Sequence, residues 1–356
     1  MPAIAVADAL RDSGALPTFI GTRGRAEADL VPEAGYEIDF VELEGLSRTN
    51  PFKAVRALAR AARGVGAAKR ILRERGAQAV LGGGGYVAGP TGLAATRLGL
   101  PLVLTEADSH LGLTNRRLAA RARAVCLAFP IEGREGDPYV VTGRPVPRAV
   151  LEADRWAARR RFGIPRGDHV ITVFCGSLGA LTVNESAFEA FGGGVEALAS
   201  DPVGKPWVLH VAGRRDYPSL EERWAVAGRP ERYLLLEYEP SLGDVLAASD
   251  LVVARAGGSV MEIAAAGRPA ILVPYPDATA DHQTTNARWM SSGGAAVTVP
   301  DAELDAARLR AEADAILGNE ARLQTMTSAS HRLAVPDAAK RIAAEVLDAV
   351  RAGDAQ

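Results

Sequence analysis

Two glycine-rich segments in the second half of the sequence have the residue types needed to bind a phosphate. In VFCGSLGALTVNE (173–185) and ARAGGSVMEIAAAGRP (254–269), an apolar strand pattern runs into glycines and then into a helical pattern. Glycine lets a ligand approach the backbone closely, and free amides at a helix start attract anions. Neither segment has the Gly-x-Gly-x-x-Gly or the Gly-Lys-Ser/Thr pattern. Each is therefore compatible with a phosphate site and with a tight turn that binds nothing.

Two further polar or glycine-rich segments also follow apolar runs. DHQTTNA (281–287) offers donors and acceptors of the kind that read sugar hydroxyls, although a polar helix start has the same composition. LGGGGYVAGP (81–90) places four glycines after a strand pattern, which predicts either a closely approaching ligand or a flexible turn. Glu106 and Asp108 come directly after the apolar run 102–105, where ligand-cleft residues lie in parallel sheets.

The elements that must position these segments follow from an alternation of apolar runs and helical patterns. Helices are predicted between the runs, for example over 51–74 and 304–317. Such alternation is typical of βα units and parallel sheets, so we expect an α/β fold. The predicted strands are Leu16–Ile20, Glu37–Val41, Ala79–Leu81, Leu102–Thr105, Ala124–Leu127, Tyr139–Thr142, Val170–Cys175, Trp207–Val211, Tyr233–Leu236, Leu251–Ala254, Ala270–Val273 and Ala295–Val299.

Length and composition predict two domains. The chain has 356 residues, of which 48% are hydrophobic, and this is enough for two buried cores of ordinary size. The stretch 143–169 is rich in Pro, Gly and Arg, and a new strand pattern begins at Val170. We therefore predict a first domain over 1–150 and a second over 151–335. The last helical pattern, 336–356, is expected to pack back on the first domain.

Bulk properties exclude several classes of protein. The net charge of −2 gives no overall attraction to nucleic acid or to an anionic membrane. Two cysteines, Cys126 and Cys175, cannot build a secreted disulfide framework and are expected to be reduced thiols. No apolar run reaches the roughly 18 residues of a membrane span, so we expect a soluble or peripheral protein. The basic, amphipathic stretch 47–75 is either a solvated helix face or a contact with anionic lipid.

Taken in order, these segments resemble the MurG family, the bacterial UDP-N-acetylglucosamine transferases of peptidoglycan synthesis in glycosyltransferase family 28. The segments 19–46 and 106–116 share the resemblance, which covers nearly the whole chain. It implies a GT-B fold, in which two Rossmann-like, doubly wound parallel-sheet domains face each other across a cleft. It also implies inverting transfer of GlcNAc from UDP-GlcNAc to the C4 hydroxyl of MurNAc in lipid I, which forms lipid II. Neither a metal nor a cofactor is implied.

The resemblance assigns residues to an acceptor half and a donor half. The first domain would bind lipid I and attach, through the basic region 47–75, to the cytoplasmic face of the cell membrane as a peripheral protein. The second would bind UDP-GlcNAc. The implied donor-binding residues are Ser177, Leu178, Gly179, Ala180, Arg148, Glu239, Arg255, Gly257, Gly258, Ser259, Glu262, Gln283, Asn286 and Asp108, and the implied acceptor-binding residues are Gly84, Gly85, Tyr86, Glu106 and Asn115.

The sequence departs from the family pattern at its front and at two donor positions. The family begins with a strand and a glycine-rich loop ending in the histidine proposed as general base, whereas Met1 falls where that loop finishes. A parallel sheet without this strand keeps unpaired backbone groups, so we expect coding sequence upstream of Met1. His110 is the candidate replacement for the base. Pro147 stands in place of a family arginine, with Arg148 as its substitute, and Asp108 stands where the family commonly has Asn.

Other functions remain compatible with the same residues. Another GT-B enzyme, such as a glycolipid synthase or a UDP-GlcNAc 2-epimerase, would bind the same donor. An epimerase would not need the loop 82–90 for an acceptor. A non-catalytic UDP-sugar-binding protein would account for the missing first loop. Transfer of labelled sugar to a lipid I analogue separates these three predictions.

Overall fold

A computed structural model of the chain shows two compact units. Unit 1 comprises Met1–Val146 and Val335–Gln356, and unit 2 is the continuous stretch Pro147–Ala334. In both units the paired strands are parallel and helices connect them, so the predicted α/β fold is confirmed. No helix in the part of the chain that the structure describes is long and apolar enough to cross a bilayer. The described residues are 2–42, 51–176, 179–192, 206–278 and 281–354, without the side chains of 51–62, 86 and 354.

The first described helix of unit 1 buries one face, which includes Val6 and Leu10. The third helix begins at Pro51, and proline suits this position because an amide hydrogen there would have no partner within the helix. The elements in chain order are α1 (Pro2–Asp12), β1 (Phe19–Gly21), α2 (Glu27–Glu33), β2 (Ile38–Phe40), α3 (Pro51–Glu74), β3 (Val80–Gly82), α4 (Gly85–Leu98), β4 (Leu102–Glu106), α5 (Leu113–Leu118), β5 (Ala124–Leu127) and β6 (Tyr139–Val141).

The first strand is shorter than predicted. The prediction of a strand over Leu16–Ile20 is wrong at its start, because β1 begins at Phe19 and Leu16 is 94% exposed. Pro17 has no amide hydrogen to give to a sheet, so the pairing cannot extend through it.

The strands of unit 1 form two separate parallel sheets. β1 pairs with β2, and β3, β4, β5 and β6 pair in that order. Among the described strands, β1 therefore pairs only with β2, and β3 pairs only with β4. Backbone groups of successive strand residues point to alternate sides. Because Phe19 and Val80 donate into the existing ladders, Ile20 and Leu81 direct their backbone groups to the open edges.

The last helix of the chain, α15 (Ala338–Asp354), completes a core of unit 1. Ile342 and Val346 are buried in one apolar cluster with Val6 of α1, Val103 of β4 and Cys126 of β5. This cluster covers one face of the four-stranded sheet with two helices from opposite ends of the described chain.

Unit 2 has a longer series of βα units. Its elements in order are α6 (Arg148–Leu151), α7 (Arg155–Arg161), β7 (Val170–Phe174), α8 (Leu181–Ala187), β8 (Trp207–Val211), α9 (Tyr217–Val226), β9 (Tyr233–Leu236), α10 (Leu242–Ala248), β10 (Leu251–Ala254), α11 (Val260–Ala265), β11 (Ala270–Leu272), α12 (His282–Ser292), β12 (Ala296–Thr298), α13 (Ala306–Leu317) and α14 (Glu320–Leu333).

Six of these strands make one continuous sheet in unit 2. Their order is β12-β11-β10-β7-β8-β9, and all pairs are parallel. Every residue of the central strands β7 and β10 is buried, as expected for a sheet covered by helices on both faces. The centre of this sheet is therefore the most firmly enclosed part of the unit.

A buried arginine holds the amino ends of these two central strands. Arg159 of α7 is 1% exposed, and its guanidinium donates to several backbone oxygens and to Asp250 at 2.7 Å. The Asp250 carboxylate also accepts the amide of Val170, the first residue of β7, at 2.8 Å. Burial lowers the pKa of Arg159, and the adjacent Asp250 opposes this effect. The ion pair thus fixes α7 against the start of the sheet.

Candidate functional site

The two glycine-rich segments of unit 2 follow the two central strands of its sheet. From β7 the chain moves outward through β8 and β9, and it then returns to the other side of β7 as β10. The strand order therefore reverses between β7 and β10. In open parallel sheets, the crevice at the carboxyl ends of two such strands is the preferred ligand site. The turn Gly176–Gly179 and the loop 255–259 both lie at this point.

The turn after β7 requires glycine for two different reasons. Gly176 and Gly179 have φ values of +84° and +90°, which side chains strain to adopt. A Cβ on Gly179 would also lie 2.2 Å from the backbone oxygen of Ala212. The Gly179 amide donates to the Gly176 oxygen at 3.2 Å, and Ala180 is buried before α8 begins. Ser177 and Leu178, both predicted donor-binding residues, lie outside the described residues.

A buried polar network supports this turn from behind. His210 in β8 contacts the Tyr233 hydroxyl through Nδ1 at 2.6 Å and the Asn184 Oδ1 through Nε2 at 2.9 Å. The Asn184 amide donates to the Ala212 oxygen at 2.8 Å and to the Asp216 carboxylate at 2.9 Å. Burial lowers the pKa of His210 to about 3, so the ring is neutral at physiological pH.

Sequence reasoning missed this network. It gave His210, Asn184 and Asp216 no role. The available signal was a histidine within a continuous apolar strand, since a polar side chain buried there needs a hydrogen-bond partner. That partner could not be identified from the sequence, because Asn184 and His210 lie 26 positions apart.

The loop after β10 is held mainly by Arg255. Its Nη1 donates to the backbone oxygens of Val273 and Pro274, both at 3.3 Å, and lies 2.5 Å from Asp301 Oδ1. These contacts agree with a supporting role for Arg255. The next glycine, Gly257, has open space where a Cβ would project. The fold does not demand glycine there, so the missing side chain leaves the backbone accessible.

Four other predicted donor residues cluster near this loop. Gly258 and Ser259 lead into α11, and Glu262 lies in its first turn, half-buried. Gln283 on α12 accepts the Tyr275 amide on its Oε1 at 3.0 Å. The start of α12 is therefore joined to the segment after β11.

Asn286, another predicted donor residue, lies below the surface next to the loop after β10. It is 2% exposed, and its amide nitrogen donates to the Ala256 oxygen at 3.0 Å. Its Oδ1 is buried and has no hydrogen-bond partner among the described residues. Asp281, just before α12, has a φ of +53°. The segment 281–287 is thus both a polar helix start and a support for the glycine-rich loop.

Two other predicted donor residues, Glu239 and Arg148, form ion pairs within unit 2. Glu239 follows β9, and in the sheet β8 lies between β9 and β7. Its carboxylate accepts the Ser241 amide at 2.8 Å and pairs with Arg161 of α7 at 2.7 Å. Arg148 is exposed on α6 and lies 3.4 Å from Glu152. Glu239 thus links the segment after β9 to α7, whereas the pair of Arg148 and Glu152 spans one helical turn.

In unit 1, the predicted acceptor residues Glu106 and Asn115 bind each other. Asn115 is 1% exposed, and its amide nitrogen donates to Glu106 Oε2 at 2.9 Å. The same carboxylate accepts the amides of Gly112 at 2.8 Å and Asp108 at 3.2 Å. Glu106 therefore closes the loop between β4 and α5. His110 lies in this loop and is half-buried.

The glycines after β3 form an open turn. Gly84 and Gly85 have φ values of +79° and +74°, and a Cβ on either would meet nothing within 4 Å. Thr114 donates to the Gly85 oxygen at 3.4 Å and links the turn to α5. The Tyr86 side chain lies outside the described residues. Across the described ranges, no three or more His, Cys, Asp or Glu side chains are grouped closely enough to hold a metal ion.

Comparison with known proteins defines the class of protein. The N-terminal domain model of glycosyltransferase family 28 matches residues 1–127, and the C-terminal domain model matches residues 170–342. With relatives that align over almost its whole length, the chain belongs to glycosyltransferase family 28.

The relatives include proteins named UDP-N-acetylglucosamine–N-acetylmuramyl-(pentapeptide) pyrophosphoryl-undecaprenol N-acetylglucosamine transferase. The one from Moorella thermoacetica is 37% identical, covering 99% of this chain and 96% of its own length. The one from Rubrobacter xylanophilus is 38% identical, covering 98% and 99%.

Solved structures support the GT-B fold. The crystal structure of Acinetobacter baumannii MurG has a TM-score of 0.74 and 26% identity, covering 98% of this chain and 95% of that one. A UDP-GlcNAc 2-epimerase from Neisseria meningitidis has a TM-score of 0.68 and 14% identity, covering 97% and 95%. At that identity, the second likeness concerns the fold alone. The predicted pair of Rossmann-like domains is confirmed.

Proposed function

We propose that this chain transfers GlcNAc from UDP-GlcNAc to the C4 hydroxyl of MurNAc in lipid I, which forms lipid II. The observation that carries the proposal is the position of two glycine-rich turns after β7 and β10, where the strand order reverses. The relatives at 37–38% identity bear the names of transferases for this reaction. A nucleotide diphosphate placed at this crevice would meet the backbone amides of the two glycine-rich segments.

The chemistry requires charge stabilisation on the donor side. The bond between C1 of GlcNAc and the phosphate oxygen of UDP breaks, and UDP leaves with the electron pair. A new bond forms from the acceptor oxygen to the opposite face of C1, and the acceptor proton passes to a general base. Backbone amides of the turn 176–180 and of the loop 255–259 would stabilise the charge that develops on UDP.

Individual roles follow from the contacts in unit 2. We assign Glu262 to the ribose hydroxyls and the amide nitrogen of Gln283 to the sugar, because Tyr275 occupies its oxygen. Asn286 and Arg255 are assigned to holding the loop, through Ala256 and through the end of β11. Arg148, Glu239 and Asp108 remain proposed donor-side residues inherited from the family resemblance.

On the acceptor side, we propose that Gly84, Gly85 and Tyr86 form the surface that receives lipid I. Glu106 and Asn115 would shape the neighbouring loop through their mutual hydrogen bond. That loop carries His110, the proposed base. General-base catalysis contributes about 100-fold or more, so His110→Gln should lower kcat by at least this factor while UDP binding stays the same. An unchanged kcat would remove His110 from this role.

The reaction itself is tested by transfer of radiolabelled GlcNAc to a lipid I analogue. We expect labelled lipid product and stoichiometric UDP. Release of UDP without labelled lipid would contradict the proposal. Formation of UDP-ManNAc would instead identify a 2-epimerase, and tight binding of UDP-GlcNAc without turnover would identify a binding protein.

The donor assignment is tested through Glu262. Loss of a hydrogen bond to a charged carboxylate weakens binding by about tenfold, so Glu262→Ala should raise the Kd for UDP by that factor in titration calorimetry. Glu303→Ala is the matched control, since Glu303 is an exposed carboxylate elsewhere in unit 2. Equal Kd values for both variants would exclude the ribose role.

We also propose peripheral attachment to the cytoplasmic face of the membrane through the basic region 47–75. In the described half of α3, Val65, Ala68 and Leu72 are buried in the core of unit 1, whereas Arg70 and Arg73 are exposed. The attraction would therefore be electrostatic rather than by insertion. Flotation with anionic vesicles should retain the protein, and neutral vesicles should not. Equal flotation with both vesicle types, or none, would contradict this proposal.

A further inference from the structure

The orientation of the Asn184 side chain is fixed by its neighbours. Its amide nitrogen faces two acceptors, the Ala212 oxygen and the Asp216 carboxylate. A flipped amide would set an oxygen against both acceptors, which is unfavourable. The Asn184 oxygen must therefore face His210 Nε2, at 2.9 Å. His210 consequently carries its hydrogen on Nε2, and Nδ1 accepts the Tyr233 hydroxyl.

This chain of hydrogen bonds connects two neighbouring strands to the helix that follows the turn after β7. Tyr233 belongs to β9, His210 belongs to β8, and Asn184 lies on α8, the helix after the turn. Asn184 and His210 are fully buried, and Asp216 is 6% exposed. Buried hydrogen-bond networks of this kind lock their members into one arrangement. The network thus ends at Asp216 in a single geometry.

Gly179 lies directly against the end of that network. A Cβ there would meet Asp216 Oδ2 at 2.6 Å and the Asn184 amide nitrogen at 3.0 Å. The turn also has a contact on its exposed side: Arg215 donates to the Gly179 oxygen at 3.4 Å and to Asp216 Oδ2 at 3.1 Å. Gly179 is therefore held between a buried amide and a surface guanidinium.

The Asp216 carboxylate is in an unusual place for a site that binds an anion. A negative charge beside a turn that receives a diphosphate repels it. Arg215 compensates that charge, with Nε 2.7 Å from Asp216 Oδ1. The same ion pair raises the pKa of Arg215. The presence of Asp216 at this place, with its charge balanced by Arg215, indicates that it shapes the turn rather than attracts the ligand.

We propose that Asp216 and Arg215, held in place by Asn184 and His210, are positioning residues that fix Gly179 and the start of α8 for the donor diphosphate. The inference rests on the proposed donor site. It adds that the position of Gly179 depends on a largely buried hydrogen-bond network. For one substitution, it predicts a change in UDP affinity opposite in direction to the change expected from charge alone.

That substitution is Asp216→Asn, which removes the negative charge and frees Arg215. Electrostatics alone would make UDP bind more tightly, since one repulsive charge is lost and one attractive charge is released. The positioning role predicts weaker binding, by about threefold to tenfold, because the hydrogen bonds that hold the turn are lost. Titration calorimetry with UDP distinguishes the two outcomes. Tighter or unchanged binding would overturn the proposal.

Two matched controls separate a local effect from general damage. Ser186→Ala alters another buried polar residue of α8 and should leave UDP binding unchanged. Arg215→Met should weaken binding threefold to tenfold. Arg229→Met should not, although Arg229 has the same 57% side-chain exposure and is also paired with a carboxylate. Equal Kd values for the two arginine variants would contradict the role of Arg215.

A measurement without ligand keeps the inference separate from the proposed function. Hydrogen exchange of a peptide spanning 175–187 should become faster in Asp216→Asn than in Ser186→Ala. If exchange is faster in Asp216→Asn but the wild-type protein does not bind UDP, the donor site is refuted and the positioning role is retained. If exchange in Asp216→Asn is unchanged and the wild-type protein binds UDP normally, only the positioning role is refuted. In transfer assays, KM for UDP-GlcNAc should rise while kcat and the acceptor KM remain similar.

Discussion

Unit 1 and unit 2 hold their glycine-rich turns in different ways, although both are built from βα units. In unit 2, Gly179 lies against a buried network that joins α8 to the strands β8 and β9. In unit 1, Gly84 and Gly85 project into open space, and the neighbouring loop is closed by local bonds from Glu106. We therefore expect a preformed turn in unit 2 and an adaptable one in unit 1.

The sheets show the same contrast on a larger scale. Unit 2 has six strands in one sheet, anchored at its amino edge by Arg159 and at its carboxyl edge by His210. The described strands of unit 1 form sheets of two and four strands. Buried polar groups are expected to carry a large share of the stability of unit 2. Four predictions test this difference.

The largest effect is expected for Arg159→Leu. The change breaks a buried ion pair and leaves several buried backbone oxygens without their donor, although Arg155 still pairs with Asp250, and we expect a loss of about 3–5 kcal/mol of the free energy of unfolding. Urea unfolding followed by tryptophan fluorescence reports on unit 2, because all four tryptophans of the chain lie in it. The adjacent Arg160→Leu is the control, since Arg160 is exposed and the change there should be within about 0.5 kcal/mol. Similar losses in both variants would show that the amino edge has no special anchor.

Acid should weaken unit 2 through His210. Its pKa is lowered from 6.5 to about 3 by burial, so the unfolded chain takes up a proton below about pH 6.5 and the folded chain does not. The contribution of neutral His210 is complete above that pH and falls as the pH decreases, by about 1.4 kcal/mol per pH unit. Between pH 6.5 and 5, we expect a loss of roughly 2 kcal/mol in urea titrations.

The pH effect is isolated by comparing two variants. His210→Gln should be less stable at neutral pH and should lose less stability than the wild type on acidification. His110→Gln, in unit 1, should retain the wild-type slope for unit 2. If His210→Gln keeps the full acid sensitivity, other groups cause it.

A moderate effect is expected for Glu106→Ala in unit 1. The variant leaves the buried amide of Asn115 without its carboxylate partner, at a cost of about 1–3 kcal/mol. Because these bonds are local, the loss should appear in hydrogen exchange of the loop 107–114 before it appears in global unfolding. Glu132→Ala, at an exposed site, is the control. Loss confined to global unfolding would contradict a local role.

The smallest effect is expected for Gly85→Ala. The site has room for a methyl group, so the cost is the backbone strain of about 1 kcal/mol for a positive φ. Gly179→Ala adds a steric clash to the same strain and should cost about 1–3 kcal/mol more. Equal melting temperatures for the two variants would remove the contrast between the open turn and the supported turn.

The sequence was sufficient to predict the strands and helices where apolar runs are bounded by turn residues. β5, β8, β9 and β10 have the predicted bounds, and α3 covers the predicted 51–74. The error at Leu16 arose because an apolar residue before Pro17 continues a hydrophobic pattern that the ladder cannot follow. Element types therefore follow from periodicity, whereas their ends depend on single residues.

The candidate site was predictable as a set of segments but not as a set of contacts. The positions of the loops after β7 and β10 follow from the βα alternation. That Arg255 is occupied by Val273 and Pro274, and that Asn286 faces Ala256, depends on which strands become neighbours. Strand order is a long-range property. The partners of these side chains depend on it and could not be predicted from local sequence patterns.

The division of unit 1 into two stretches has a consequence for the order of events during translation. Unit 2 is made as one uninterrupted stretch, and it can fold as soon as it leaves the ribosome. The stretch with α15 is made afterwards, so Val6 and Val103 lack their covering helix until then. Nascent unit 1 therefore exposes an apolar groove throughout the synthesis of unit 2. A chain arrested near residue 330 should present a folded unit 2 and a chaperone-binding unit 1.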